Sequence, residues 1–257
     1  MIRMAREVET GPAYWCAAFL VDGLLIDTGC ARAAPELLAF LADRRVECIV
    51  NTHYHEDHVG ANRRLREQRG VAIYAHEDCL PLIGRVPKLL AYREMIWGTP
   101  ESSAASPAPA VIATDQHRFQ VIETPGHCGG HISLVEPERG WVFMGDAYVT
   151  AAPRAARPEE DLGQLVRDMR TLAGLDSERL VLFNAIGTIV EDGRHALGEC
   201  AAYLEQAIAT ARDLARQGLS VADIRQRMFG AETSLAAVTE GDFSIENLVR
   251  SALRSQL

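Results

Sequence analysis

Asn51-Thr52-His53-Tyr54-His55-Glu56-Asp57-His58-Val59-Gly60 is the stretch whose reading decides the fold of this chain. It follows an apolar run, Cys48-Ile49-Val50, that reads as a strand. Residues two apart in an extended chain share a face, so His53 and His55 can point at one ion. A turn after them directs Asp57 and His58 to the side, where they can serve a second ion or orient water on the first. Imidazole and carboxylate together suit zinc, iron or manganese rather than calcium or magnesium. A histidine-rich surface loop is the plain alternative. Three of the chain's eight histidines stand here at i, i+2 and i+5 with an aspartate between, and that pattern favours a metal centre.

Upstream, Ala13 to Val21 is mostly apolar and ends at Asp22-Gly23, a hairpin signal. Leu24-Leu25-Ile26 returns as a strand and stops at Asp27-Thr28-Gly29. Asp27 is placed either to hold one of the histidines from behind or to cap its own turn. Pro35 opens a helix with Leu37, Leu38, Phe40 and Leu41 on its apolar face. Ala61 to Gln68 is a second helix, stopped by Gly70, and Val71 to Tyr74 a further strand. Strands alternating with helices argue for an α/β fold. His76 reads as a helix-start or packing residue. Val86 to Trp97 reads as an amphipathic helix. Gly98 to Ala110, with Pro100, Pro107 and Pro109, is a break that serves as a lid or a linker.

Downstream, a strand from Phe119 to Glu123 ends at Thr124-Pro125-Gly126-His127. Ile132 to Val135 and Trp141 to Met144 form a hairpin whose second arm ends at Gly145-Asp146. Three strands thus stop at polar tips: His53 to His58, His127, and Asp146. Function in layered α/β folds collects on such loops. Glu159 to Leu172 is a helix, and Arg179 to Phe183 a strand followed by Asn184-Ala185-Ile186-Gly187. Beyond it, Leu197, Ala201, Leu204, Ile208, Ala211 and Ala215 step along one helical face. Ser220 with Asp223 forms a capping box, and Ser244 caps a last helix. Residues 1–192 are expected to form the main domain, and 193–257 a helical extension packed on it. Leu219, Ile224, Met228 and Phe229 in that tail read as core packing, with a pocket wall or a homodimer contact as alternatives.

Length and composition set the outer limits. The 257 residues suffice for one large domain or two small ones, and 48% hydrophobic content is ample for a core. No apolar run approaches the ~20 residues of a membrane span. The first residues, Met1 to Glu7, carry no apolar signal-peptide core, so a cytoplasmic location is expected. A formal net charge of −9 disfavours nucleic acid as a partner. Six cysteines without a CxxC pair are expected to be reduced. Cys16 and Cys48 read as core. Cys128, directly after His127, reads as a small packing residue rather than a reactive thiol.

The ordered set His53-x-His55-x-Asp57-His58, Thr-Pro-Gly-His127 and Gly145-Asp146 resembles the metallo-β-lactamase fold superfamily, in its glyoxalase-II-like branch, from about Tyr14 to Val190. The resemblance implies a four-layer αβ/βα sandwich of two mixed sheets with the metal site at one edge. It also implies that His53, His55 and His127 hold a first metal, that Asp57 and His58 hold a second, and that Asp146 bridges them. His131 would be structural. One element departs from the pattern: where the family places a histidine in a late Gly-His-Gly-like turn, this chain has Ile186, which cannot ligate. Asn184 and His195 are the nearest substitutes. The second site is then either a weaker three-ligand site or absent. One or two zinc ions are the expected cofactor, with iron or manganese as alternatives.

The resemblance further implies hydrolysis of a small-molecule ester, thioester or lactone. A water on the metal, its pKa lowered from 15.7 to ~7, would supply hydroxide. Asp57 would orient that water and take its proton as the catalytic residue. Persulfide dioxygenases share the fold and use one iron on two histidines and an aspartate; His53, His127 and Asp146 offer that set. The Gly-Cys-Gly-Arg stretch expected in that branch is absent, and Tyr148-Val149-Thr150-Ala151-Ala152 stands in its place. A non-catalytic ligand-binding descendant is the third reading, and Ile186 alone speaks for it.

Overall fold

Leu24-Leu25-Ile26 and Cys48-Ile49-Val50 are apolar on both faces, and both are central strands in the computed structural model, which describes residues 1–9 and 11–257. The first sheet runs in the order β1 (Ile2–Val8), β2 (Gly11–Val21), β3 (Leu24–Ile26), β4 (Cys48–Val50), β5 (Ala72–Ala75) and β6 (Ser106–Pro107). Its first three strands are antiparallel and its last four parallel. The parallel steps cross over through α1 (Ala34–Leu41) and α2 (Asn62–Arg69), and α3 (Leu80–Ile83) and α4 (Ala91–Trp97) lie between β5 and β6. The second sheet comprises β7 (Val111–Ala113), β8 (Arg118–Glu123), β9 (Ile132–Glu136), β10 (Trp141–Gly145), β11 (Val181–Asn184) and β12 (Ile189–Val190), in spatial order β12-β11-β10-β9-β8-β7. All its pairs are antiparallel except β10 with β11. Helices α5 (Leu162–Ala173), α6 (Gly193–Arg216), α7 (Val221–Phe229), α8 (Ser234–Val238) and α9 (Ile245–Arg254) complete the chain.

The period-two alternation of each strand divides its side chains between two cores. Ile26 and Val50 face the second sheet and meet Phe19, Phe119, Leu134 and Phe143, while their neighbours Leu25 and Ile49 face outward onto Leu37, Leu41 and Leu65. In the second sheet Phe143 points inward, and Val142 and Met144 point outward onto Leu165, Met169, Leu197 and Leu204. Helices, sheet, sheet and helices therefore stack as the four-layer αβ/βα sandwich that the sequence suggested. The tail joins this packing: Leu248, Val249 and Ile224 are buried in the same outer core, with Leu219, Met228 and Phe229 half-buried against it.

The local signals were uneven guides. Asp22-Gly23 is a hairpin turn with positive φ at both residues, as such a dipeptide favours. Ser220 and Asp223 make both bonds of a capping box, and Ser244 caps α9. The amphipathic stretch from Val86, by contrast, becomes helical only at Ala91. Pro87 keeps Val86 out of the helical region. The helix expected from Glu159 begins at Leu162, because Asp161 caps it by accepting from Gln164 N–H at 3.0 Å. Pro158, Glu159 and Glu160 thereby remain in the preceding loop. The proline-rich break contains an edge strand, β6, whose Pro107 needs no ladder donor there.

Candidate metal centre

Each segment reaching the centre leaves the end of a strand and is fixed from behind. After β4, the histidine loop is tied to the Asp27-Thr28-Gly29 turn. Thr28 N–H donates to His58 O at 2.8 Å and Gly60 N–H to Gly29 O at 2.8 Å. Asn62 Nδ2 donates to Asn51 Oδ1 at 2.7 Å, and Asn51 Nδ2 to His58 O at 3.1 Å. Asp27 sits at φ +59° and is buried. Its carboxylate accepts from Thr52 N–H at 2.7 Å and Thr52 Oγ1 at 2.8 Å, and lies 2.7 Å from His58 Nδ1. The two roles left open for Asp27 are thus filled together: it closes its turn onto Thr52 and orients the His58 ring.

From the second sheet, the loop after β8 carries His127 and the loop after β10 carries Asp146. His131 holds them in place through both ring nitrogens. Nδ1 lies 2.8 Å from Thr124 Oγ1, and Nε2 accepts from Asp146 N–H at 3.2 Å. Gly145, at φ +51°, must be glycine: a Cβ would stand 2.5 Å from His131 Nε2 and 2.8 Å from Thr52 Oγ1.

The first three histidines converge. His53 Nε2 lies 2.9 Å and His127 Nε2 3.1 Å from His55 Nδ1. Asp146 Oδ2 stands 3.5 Å from His127 Nε2 and 3.9 Å from His53 Nε2. His58 Nε2 is 3.6 Å from Asp146 Oδ1 and 3.9 Å from Asp57 Oδ2. All six sequence-designated residues therefore face one volume. His58 Nε2 and Asp57 Oδ1 are buried without a hydrogen-bond partner, and buried polar atoms of this kind call for an ion or an ordered ligand. Burial first, and then the neighbouring imidazoles and arginines, pulls His53 and His55 well below the usual histidine range. Their rings are neutral and offer lone pairs, the form a metal requires. Burial opposes the ionised form of Asp146, but His58 beside it outweighs burial and keeps the carboxylate ionised. The donor set thus fits a divalent transition metal. Cys128 Sγ also lies within 4.8 Å of the three imidazole donor atoms; burial pushes its thiol up, in keeping with a packing role.

The late turn offers nothing in addition. Asn184 spends its side chain on Val149 O at 3.2 Å and on Thr188 N–H at 2.8 Å. His195 lies exposed on α6 beside Glu199. Neither substitute reaches the centre.

Several groups at the site carried no signal in the sequence. Glu159 and Glu160, read as helix, instead stand 3.5 Å from His55 Nε2 and 3.4 Å from His127 Nδ1. Arg93 links Asp242, at 3.0 Å, to Glu56, at 3.5 Å. Arg157 is buried in the same loop as the two glutamates, its guanidinium 5.9 Å from the centroid of the Trp97 ring. No spacing rule identifies such residues, because loops of irregular shape deliver them. The Asp161 cap could have exposed the two glutamates.

Asp168 of α5 steadies the His127 loop by accepting from Gly126 N–H at 2.8 Å and from Gln164 Nε2 at 2.7 Å. Burial pushes its carboxyl up to about 6. A carboxyl raised in the folded state lets that state hold the proton longer, so its contribution to stability falls as pH rises from about 4 to about 6 and is level above. Melting temperatures of the wild type and Asp168→Asn, measured from pH 4 to 8, are expected to shift relative to one another in favour of the variant across that window. A pH-independent difference would contradict this.

Comparison with known proteins agrees with this geometry. A hydroxyacylglutathione hydrolase of Haemophilus influenzae is 28% identical over 137 residues, 50% of this chain and 63% of that protein. One from Thermosynechococcus vestitus is 35% identical over 118 residues, 44% of this chain and 40% of the relative. The chain thus spans less than two thirds of the length of either. The solved structure of a metallo-beta-lactamase family protein from Thermus thermophilus superposes on 98% of this chain and 93% of its own, with a TM-score of 0.67 at 18% identity. The sequence model of the metallo-beta-lactamase superfamily matches residues 16–183, the span that supplies both sheets' central strands and every converging ligand, and the chain belongs to that superfamily.

Proposed function

We propose that this protein is a metal-dependent hydrolase of small esters, thioesters or lactones, with a small molecule as its partner and no nucleic acid or membrane. The observation that carries the reading is the meeting of three imidazoles, with atoms 2.9 and 3.1 Å apart, against the ionised Asp146. His53, His55, His127 and Asp146 would hold the ion, and zinc, iron and manganese all suit these donors. A divalent ion there would acidify a water ligand and stabilise the oxyanion of an attacked carbonyl. The hydroxyacylglutathione hydrolase relatives favour an acylglutathione as the first substrate to try.

The chain's own residues supply the remainder. Asp57 Oδ1 is buried and unpartnered, free to orient the water and receive its proton. Asp27 holds His58 through Nδ1, leaving Nε2 turned toward Asp146.

The test is elemental analysis of protein purified without added metal, followed by a screen of thioesters, lactones, esters and phosphodiesters. Chelation should abolish activity and one divalent metal should restore it; activity indifferent to both would sink the reading. One iron with oxygen uptake would support the dioxygenase alternative instead. Asp57→Asn should lower kcat by about 10²–10⁴-fold at unchanged metal content. Full activity in that variant would remove Asp57 from the mechanism.

A further inference from the structure

Glu159 and Glu160 lie in the loop between β10 and α5, and that loop is fixed on two sides. Asp161 N–H donates at 2.8 Å to the carbonyl of Gly126, the residue before His127. Ser251 of α9, itself buried, donates through Oγ to Glu160 O at 2.6 Å and accepts from Leu162 N–H at 3.0 Å. The two side chains then meet two different rings. Glu159 Oε1 stands 3.5 Å from His55 Nε2, and Glu160 Oε1 stands 3.4 Å from His127 Nδ1. Each carboxylate has a further contact. Glu160 Oε1 accepts from Arg157 N–H at 3.3 Å. Glu159 Oε1 lies 3.9 Å from Arg93 Nη2, and Arg93 Nε donates to Asp242 at 3.0 Å.

The ring nitrogens that face these glutamates are the outer ones. His55 meets its neighbours through Nδ1, and His127 meets His55 through Nε2. An imidazole that ligates a metal keeps its proton on the other nitrogen, and the acceptor found by that N–H sets both tautomer and ring orientation. Other segments serve the remaining rings in this way: Asp27 stands 2.7 Å from His58 Nδ1, and Thr52 Oγ1 3.1 Å from His53 Nδ1. We propose that Glu159 and Glu160 are paired positioning residues, Glu159 accepting from His55 Nε2 and Glu160 from His127 Nδ1, so that both rings turn their inner nitrogens to one ion. The C-terminal helices share in building the centre, since Ser251 holds the loop and Asp242 holds Arg93. This rests on the metal-dependent reading above and assigns a role to two residues which that reading leaves out.

The test is zinc affinity, by competition with a coloured chelator, on variants whose folding is confirmed by circular dichroism. Glu160→Ala should weaken zinc binding about 10–100-fold, the usual cost of removing the acceptor behind a ligating histidine. Glu159→Ala should weaken it by a smaller factor, because that side chain is 35% exposed against 13% for Glu160 and water can replace it. Glu160→Gln keeps an acceptor oxygen and should recover part of the loss; it also serves if the alanine form does not fold. The readout that a merely structural loop would not give is the imidazole N–H signals of the zinc-loaded protein, resolved by magnetic resonance with isotope-labelled histidine. Glu160→Ala should open the His127 Nδ1 proton to solvent exchange and leave the His55 Nε2 proton protected, and Glu159→Ala should do the reverse. Wild-type affinity in Glu160→Ala would overturn the inference while leaving the hydrolase reading intact. So would both protons being lost together in either variant, as a loosened loop would produce, or both being unchanged in both. A wild type that takes up no zinc would sink both readings.

Discussion

Replacing His55 by alanine is expected to strip the protein of its metal and to cut turnover by on the order of 10³-fold or more. His55 Nδ1 is the shared neighbour of the other two imidazoles, 2.9 Å from one and 3.1 Å from the other. Its loss leaves His53 and His127 without the donor between them. Groups that merely support a metal ligand already cost 10–100-fold when removed, so a ligand itself must cost more. The vacated volume is enclosed, yet the loop is held by hydrogen bonds among Thr28, Asn51, Asn62 and His58 O that do not involve the His55 ring. The variant should therefore fold, and elemental analysis, calorimetric titration with zinc and steady-state rates will read the effect. Wild-type metal content in a folded His55→Ala protein would show that the ion sits elsewhere.

Gly60→Ala should do comparable damage by a steric route. An added Cβ would stand 2.2 Å from both Ala31 N and Cys30 C. Both are backbone atoms, which cannot turn aside as a side chain could. Gly60 N–H also pairs with Gly29 O at 2.8 Å, so the histidine loop and the Asp27 turn cannot separate without losing that bond. Forced overpacking of this kind costs about 2–4 kcal/mol, or roughly 5–15 °C in melting temperature for a chain of this size. Displacement of the loop should weaken zinc binding together with stability. A melting temperature within a degree or two of the wild type would mean the two loops part more freely than their packing implies.

Local chemistry made much of this molecule legible. The short apolar runs of β3, β4 and β10, the stop at Gly70 and the Ser220 box are properties of a few adjacent residues, and they hold in the folded chain. The histidine loop was legible for the same reason, since strand geometry alone puts His53 and His55 on one face. What escaped reading depends on distant partners. β1 and β12 carry little apolar pattern, being edge strands, and exist through pairing with β2 and β11. The two-residue β6 and the three-residue β7 are too short to show a period. Val86 to Trp97 has helical spacing throughout, yet the helix starts only at Ala91, after an extended Leu90. At the site, Arg157, Arg93, Glu159 and Glu160 are defined by what the fold sets opposite them, which no spacing along the chain encodes.

The two sheets occupy successive halves of the polypeptide, and only Ala108-Pro109-Ala110 carries the chain from β6 to β7. The ligands are divided the same way: His53 and His55 belong to the half before that crossing, His127 and Asp146 to the half after it. A bound ion is consequently a non-covalent rivet between two layers that the backbone itself joins at one narrow hinge. Free ion at a hundredfold excess over its dissociation constant would add about 2.7 kcal/mol to the cohesion of the halves. A chain cleaved at the crossing would have its fragments clasped by the same atom that performs the chemistry.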